Sequence, residues 1–226
     1  MRLSTSVPSV TTVHPPVLLI GAGGHAKVIL EEFKSLWDFR AVLSDAPLSR
    51  RQIAYFKVHG LDVLIESDAV LDAFLAHGVN HAVVAVGDND VRLQIAESLL
   101  QKGFHVPSLI HPDAKIASTA EVSPTGVQIL AGAHVGASAV VGAHTILNHA
   151  AIVEHDATLS NAVHVAPQAV VLGGASLATG TLLGCHATVL PNVQVLAKAQ
   201  IGAGAVVTQN IDQEGVYVGI PAVLWA

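Results

Sequence analysis

Glu154-His155-Asp156 is the one place in this chain where a histidine is flanked on both sides by carboxylates. An adjacent carboxylate can hold an imidazole in one tautomer and make it a better proton acceptor, which is what a general base needs. A second candidate lies far upstream: Gly21-Ala22-Gly23-Gly24-His25 directly follows the apolar run 17–20 and precedes a helical pattern with Ile29, Phe33 and Leu36 on one face. Strand, glycine-rich turn and helix is the layout in which backbone amides and a helix N-terminus meet a phosphate, so Gly21, Gly23 and Gly24 are candidate diphosphate contacts. Asp45, after a second strand at 39–43, is placed to accept hydrogen bonds from a nucleoside. The single cysteine, Cys185, has no evident basic partner at its position and reads as a small packing residue.

These residues need a scaffold, and one repeat dominates the chain. From Ile129 to Ile211 an aliphatic residue recurs every six positions (Val135, Val141, Leu147, Val153, Leu159 and onward), with a small or β-branched residue four places after each. A strict period of six suits neither an α-helix nor a hairpin protein. It suits a parallel β-helix, in which three short strands make one triangular coil and equivalent positions stack every eighteen residues. The aliphatic residues fill the interior, and the small ones fit at the tight corners. Units at Ile116 and Val122 obey the rule before one extra residue shifts the phase. On this register Gly173 lies one coil beyond His155, followed by Gly174. A residue without a side chain beside the base leaves room for a substrate and offers its N–H to a carbonyl oxygen.

Upstream of the coils, strands at 17–20, 39–43, 62–65, 81–86 and 106–110 alternate with helical patterns, among them 70–76 and one with Val91, Ile95 and Leu99 on its face. This describes a small parallel, Rossmann-like α/β domain. The expected organisation is a tail at 1–16, a nucleotide-binding α/β domain at 17–112, a β-helix at 113–214 and a closing segment at 215–226.

Composition narrows the function. The net charge of -6 argues against nucleic-acid or anionic-membrane partners. The 51% apolar content is dispersed in short units, and no run approaches the twenty residues of a bilayer span. One cysteine, and the lack of a signal-peptide-like apolar segment, fit a reducing, cytoplasmic setting.

The hexapeptide pattern resembles the left-handed β-helix acyltransferases, trimeric enzymes that mostly use acetyl-CoA. The left hand comes from the resemblance, since the usual crossover is right-handed. With the glycine turn, Asp45, Val86-Gly87-Asp88-Asn89, the segment 148–155 and Gly219-Ile220-Pro221-Ala222, the chain is similar to the sugar-nucleotide acetyltransferases of the bacillosamine-pathway type, with relatives acting on perosamine and sialic acid. The resemblance implies His155 as general base, Asp156 as its partner where related enzymes often carry Glu, and Asn148 at the substrate. It also implies His25 as a second active-site imidazole near the sugar amine, and His164 and Gly173 against acetyl-CoA. His164 lies half a coil from His155, so the two could share a site only across neighbouring subunits.

Thirteen histidines exceed what one site uses; His134, His144, His149 and His186 could line a trimer axis or face solvent. The expectation is a homotrimeric N-acetyltransferase that moves acetyl from acetyl-CoA to the amine of a UDP-, dTDP- or GDP-linked 4-amino-deoxy sugar by direct attack, with no metal. Two rivals remain: a sugar O-acetyltransferase of the sialic acid type, and a metal-dependent hydratase resembling the gamma carbonic anhydrases. An α/β domain that binds a nucleotide only for regulation is a further option.

Overall fold

The computed structural model describes residues 15–225; the tail expected at 1–16 lies, up to residue 14, outside them. Four parallel strands, β1 (Pro16–Ile20), β2 (Asp38–Ser44), β3 (Asp62–Ile65) and β4 (His81–Val84), form a sheet in the order β3-β2-β1-β4. Helices α1 (Gly24–Phe33), α2 (Arg50–Val58), α3 (Asp68–Ala76) and α4 (Asn89–Gln101) connect or flank them. The wholly apolar β1 is buried because helices cover both faces of a parallel sheet. One apolar cluster forms around Ile29, Leu30, Phe33 and Phe56, and another around Leu71, Ala96 and Leu99.

Three details differ from the sequence expectation. Helix α2 was not anticipated, although Ser49 and Gln52 form a reciprocal capping box at its start, a legible signal. On α4 the buried residues are Arg92, Ala96 and Leu99, while Val91 and Ile95 line a cavity. The segment 106–110 does not close the α/β sheet. Val106 packs into its core, but Leu109–Ile110 (β5) pairs with Gln128–Ile129 and opens the first coil.

From there the chain winds as a parallel β-helix of two-residue strands stacked in three sheets. One face runs from Glu121–Val122 to Gln194–Val195, and a second from β5 through His164–Val165 to Val223–Leu224. The third runs from Lys115–Ile116 to Val206–Val207. In each coil strand from Gln128–Ile129 to Val206–Val207 the second residue is buried, so the aliphatic series forms one continuous core. The corners follow the same period. From Gly126 through Ser138, His144, Asp156 and Asn192 to Gly204, every sixth residue has a positive φ. The small residue, Ala157 for example, follows the corner and is fully buried, so it serves the interior while the corner itself accepts His, Gln or Lys.

Candidate active site

Asp156 occupies one of these left-handed corners, φ 59°, a conformation that Asp tolerates better than most residues. The corner turns its carboxylate back toward the preceding side chain, and Oδ2 lies 2.7 Å from His155 Nδ1. Nδ1 therefore carries the hydrogen and Nε2 the lone pair. The carboxylate hydrogen bond also raises the imidazole's proton affinity above its ordinary pKa of 6.5. Both side chains are about two-thirds exposed. Beneath the ring is Gly173, where an added Cβ would lie 2.6 Å from Cε1 and 2.7 Å from Nε2 of His155. Its neighbour Gly174 gives its amide to the His155 carbonyl at 3.0 Å, which leaves Gly173 as the oxyanion candidate of the pair.

The glycine turn lies at the C-terminal ends of β1 and β4, the crevice where open parallel sheets bind ligands. A cavity of about 380 Å³ is lined there by Gly21–His25, Asp45, Glu66, Val86, Gly87, Val91 and Ile95. The glycines divide the work. Gly21, at φ 101°, spends its amide on Leu43 O at 2.8 Å, and a Cβ there would meet Ala85 O, so it shapes the turn and its N–H is not free for a phosphate. Gly23 and Gly24 have open space around them at the start of α1, where Gly23 caps the helix without a side chain. Glu66 was not singled out in the sequence. Burial, with Asp45 and Asp68 nearby, raises its carboxyl pKa, so the end of the cavity away from the turn is acidic.

His25 leaves the turn toward the β-helix. Its Nε2 is 2.6 Å from Gln128 Oε1, and its ring centroid is 6.5 Å from that of His164. Asn148 Nδ2 is in turn 3.2 Å from His164 Nε2. Burial, with Arg92 adding repulsion, keeps His25 below its ordinary pKa and His164 down to about 3. Both are neutral at pH 7. Arg92 itself is buried, and burial without a paired carboxylate brings it to about 10. It donates to Val86 O, Gly87 O and Asp88 O on the α/β side, and to His144 O (2.8 Å) and Ala162 O (3.2 Å) on coil corners.

These contacts divide the candidate residues into two groups. The α/β domain straddles the second face: Arg92 and Asn89 reach its corners with the first face, and Glu32 meets Ala131 and His149 on its corners with the third. His25, Gln128, Asn148 and His164 belong to that side. His155, Asp156 and Gly173 sit on corners between the third face and the first, the prism edge opposite the α/β domain.

Residues 16–99 match the family model described as the PglD N-terminal domain. The acetyltransferase domain of PglB from Neisseria gonorrhoeae, solved with acetyl coenzyme A, is similar at 31% identity and a TM-score of 0.82, covering 94% of this chain and 100% of that one. GDP-perosamine N-acetyltransferase from Caulobacter crescentus, a histidine-to-alanine variant with CoA and GDP-perosamine, aligns at 29% identity and TM-score 0.85, over 93% and 97% of the two chains. A serine acetyltransferase from Buchnera aphidicola is 25% identical over 207 residues, 81% of this chain but only 65% of the relative's length. The chain belongs to the hexapeptide-repeat sugar acetyltransferases, and its prism is the left-handed parallel β-helix of that family.

Proposed function

We propose that the protein is an N-acetyltransferase that moves acetyl from acetyl-CoA to the amine of a nucleotide-linked 4-amino-deoxy sugar. The observation that carries this reading is the His155 imidazole, bonded to Asp156 at 2.7 Å and seated directly over the bare backbone of Gly173. Solved relatives with CoA or acetyl coenzyme A, one of them also with GDP-perosamine, support the two substrates.

The diphosphate rests on the amides at Gly23 and Gly24, and the nucleoside lies toward Asp45 and Glu66. The thioester carbonyl lies at Gly173, with its oxygen toward the N–H. The sugar amine attacks that carbon while Nε2 of His155 accepts an N–H proton. The tetrahedral intermediate then collapses with departure of the CoA thiolate, which takes up a proton to leave as the thiol. Attack is direct, and the barrier falls through positioning and proton acceptance.

Because His155 and the glycine turn lie on opposite sides of one prism, this chemistry requires that His155 of one copy meet the α/β domain of a neighbour. Closed cyclic assembly supplies that arrangement, and a homotrimer is the proposed form. Among the described residues no helix is long and apolar enough to cross a membrane.

The test is thiol release from acetyl-CoA with UDP-, dTDP- and GDP-linked 4-amino sugars, for wild type beside His155→Ala. Release that requires one amino sugar, and falls by about two orders of magnitude in the variant, is the expected result. Release with none of them, by protein that binds acetyl-CoA, rejects the amine acceptor and brings the hydroxyl acceptors of the O-acetyltransferase reading forward.

A further inference from the structure

We infer that Gln128 sets the tautomer of His25, a positioning role that makes Nδ1 of that imidazole the hydrogen-bond acceptor in the glycine-turn cavity. The inference about the sugar rests on the function proposed above; the tautomer itself does not.

Gln128 is the outward-facing residue of the coil strand Gln128–Ile129, yet it is only 2% exposed because it reaches into the C-terminal edge of the α/β sheet. There it touches two groups. Its Nε2 donates to Val84 O, the last residue of β4, at 2.8 Å, and its Oε1 faces His25 Nε2 at 2.6 Å. A backbone carbonyl can only accept, so the amide cannot be turned round without setting two oxygens against each other. With Oε1 at His25, Nε2 of the imidazole must be the donor. His25 is neutral at pH 7 because burial lowers its pKa, so a donor at Nε2 leaves the lone pair on Nδ1.

His25 forms part of the cavity wall with Gly21–Gly24. A sugar amine about to attack must keep its lone pair free, so its N–H bonds have to be held by acceptors. An Nδ1 acceptor does this; the other tautomer would aim a donor at the amine and compete for that lone pair. Gln128 thus lets a residue of the prism determine how the sugar pocket receives its nucleophile.

The test uses the full chain with 15N-labelled histidine, observed by long-range 1H–15N correlation at pH 7. The His25 signal is assigned by its loss in His25→Ala. The expected wild-type pattern is the Nε2–H tautomer. Gln128→Met, similar in length but unable to hydrogen-bond strongly, should give mixed tautomers. It should also lower kcat/KM for the amino-sugar nucleotide about tenfold, with KM for acetyl-CoA unmoved. Gln128→Glu, with one carboxyl oxygen protonated to donate to Val84 O, keeps an acceptor at Nε2 and should retain the Nε2–H tautomer; the wild-type and Glu spectra decide the matter if the Met variant fails to fold. A wild-type Nδ1–H pattern, an unchanged tautomer in Gln128→Met, or loss of the Nε2–H tautomer in Gln128→Glu overturns the inference. A changed tautomer with unchanged kcat/KM overturns only the role toward the amine. If wild type releases no thiol with any amino sugar, the proposed reaction fails and the tautomer stands or falls on the spectrum.

Discussion

At the residue scale, the arrangement of His155 depends on what Gly173 lacks. A Cβ at 173 would stand 2.6 Å from the imidazole and force the ring off its seat, whereas the surrounding coil could stay as it is. Gly173→Ala is therefore expected to fold normally, with an unchanged melting temperature, and to lose about two orders of magnitude in kcat, since a shift of ~1 Å at a reacting group costs that much. Asp156 is tested by pH. Its carboxylate raises the His155 pKa above 6.5, and only the unprotonated imidazole can accept a proton, so kcat/KM should fall as pH drops through that raised value. Asp156→Asn removes the charge, lowers the pKa and moves the acidic limb to lower pH, while reducing the plateau. A limb that stays in place in the pH–rate profile would mean that another group titrates.

At the scale of elements, the two domains are joined through buried polar groups, and this was the least legible part of the sequence. The period of six exposed the coils, and the glycine turn exposed β1 and α1, because both are local signals. Arg92 and Gln128 act between residues far apart in the chain (103 positions separate Gln128 from His25), so no window of sequence contains the contact. Arg92 even interrupts an otherwise plausible apolar face of α4, and it is buried there because carbonyls of both domains surround it. Arg92→Met leaves those carbonyls unpaired and should destabilise the protein by about 3 kcal/mol in denaturant unfolding. The neutral histidines of the same junction give it a pH dependence. His164 is held down to about 3, so below the ordinary imidazole range the unfolded chain binds a proton that the folded one refuses. Stability is then full above about pH 6.5 and declines as pH falls, by about 2 kcal/mol at pH 5 from this residue. Melting curves should drop by roughly 5 °C between pH 7 and pH 5, and His164→Asn should flatten that slope.

At the scale of the whole molecule, the separation of the two half-sites makes a quantitative claim. His155 lies on the prism edge opposite the face that carries the α/β domain, so the proposed base and the proposed sugar pocket of one chain cannot serve each other. In the proposed cyclic trimer each site would take His155 from one copy and His25 from the next. His155→Ala and His25→Ala homotrimers should both be nearly inactive. When the two are unfolded together in equal amounts and refolded, a site is intact only if one neighbour retains His155 and the other retains His25. Random assortment makes that true for about one quarter of sites, so about one quarter of wild-type activity should return on mixing. If both groups came from a single chain, every site in the mixture would lack one of them and no activity would return. Sedimentation of the refolded mixture, run beside the assay, verifies that trimers re-formed, so a silent mixture of intact trimers would reject the shared site.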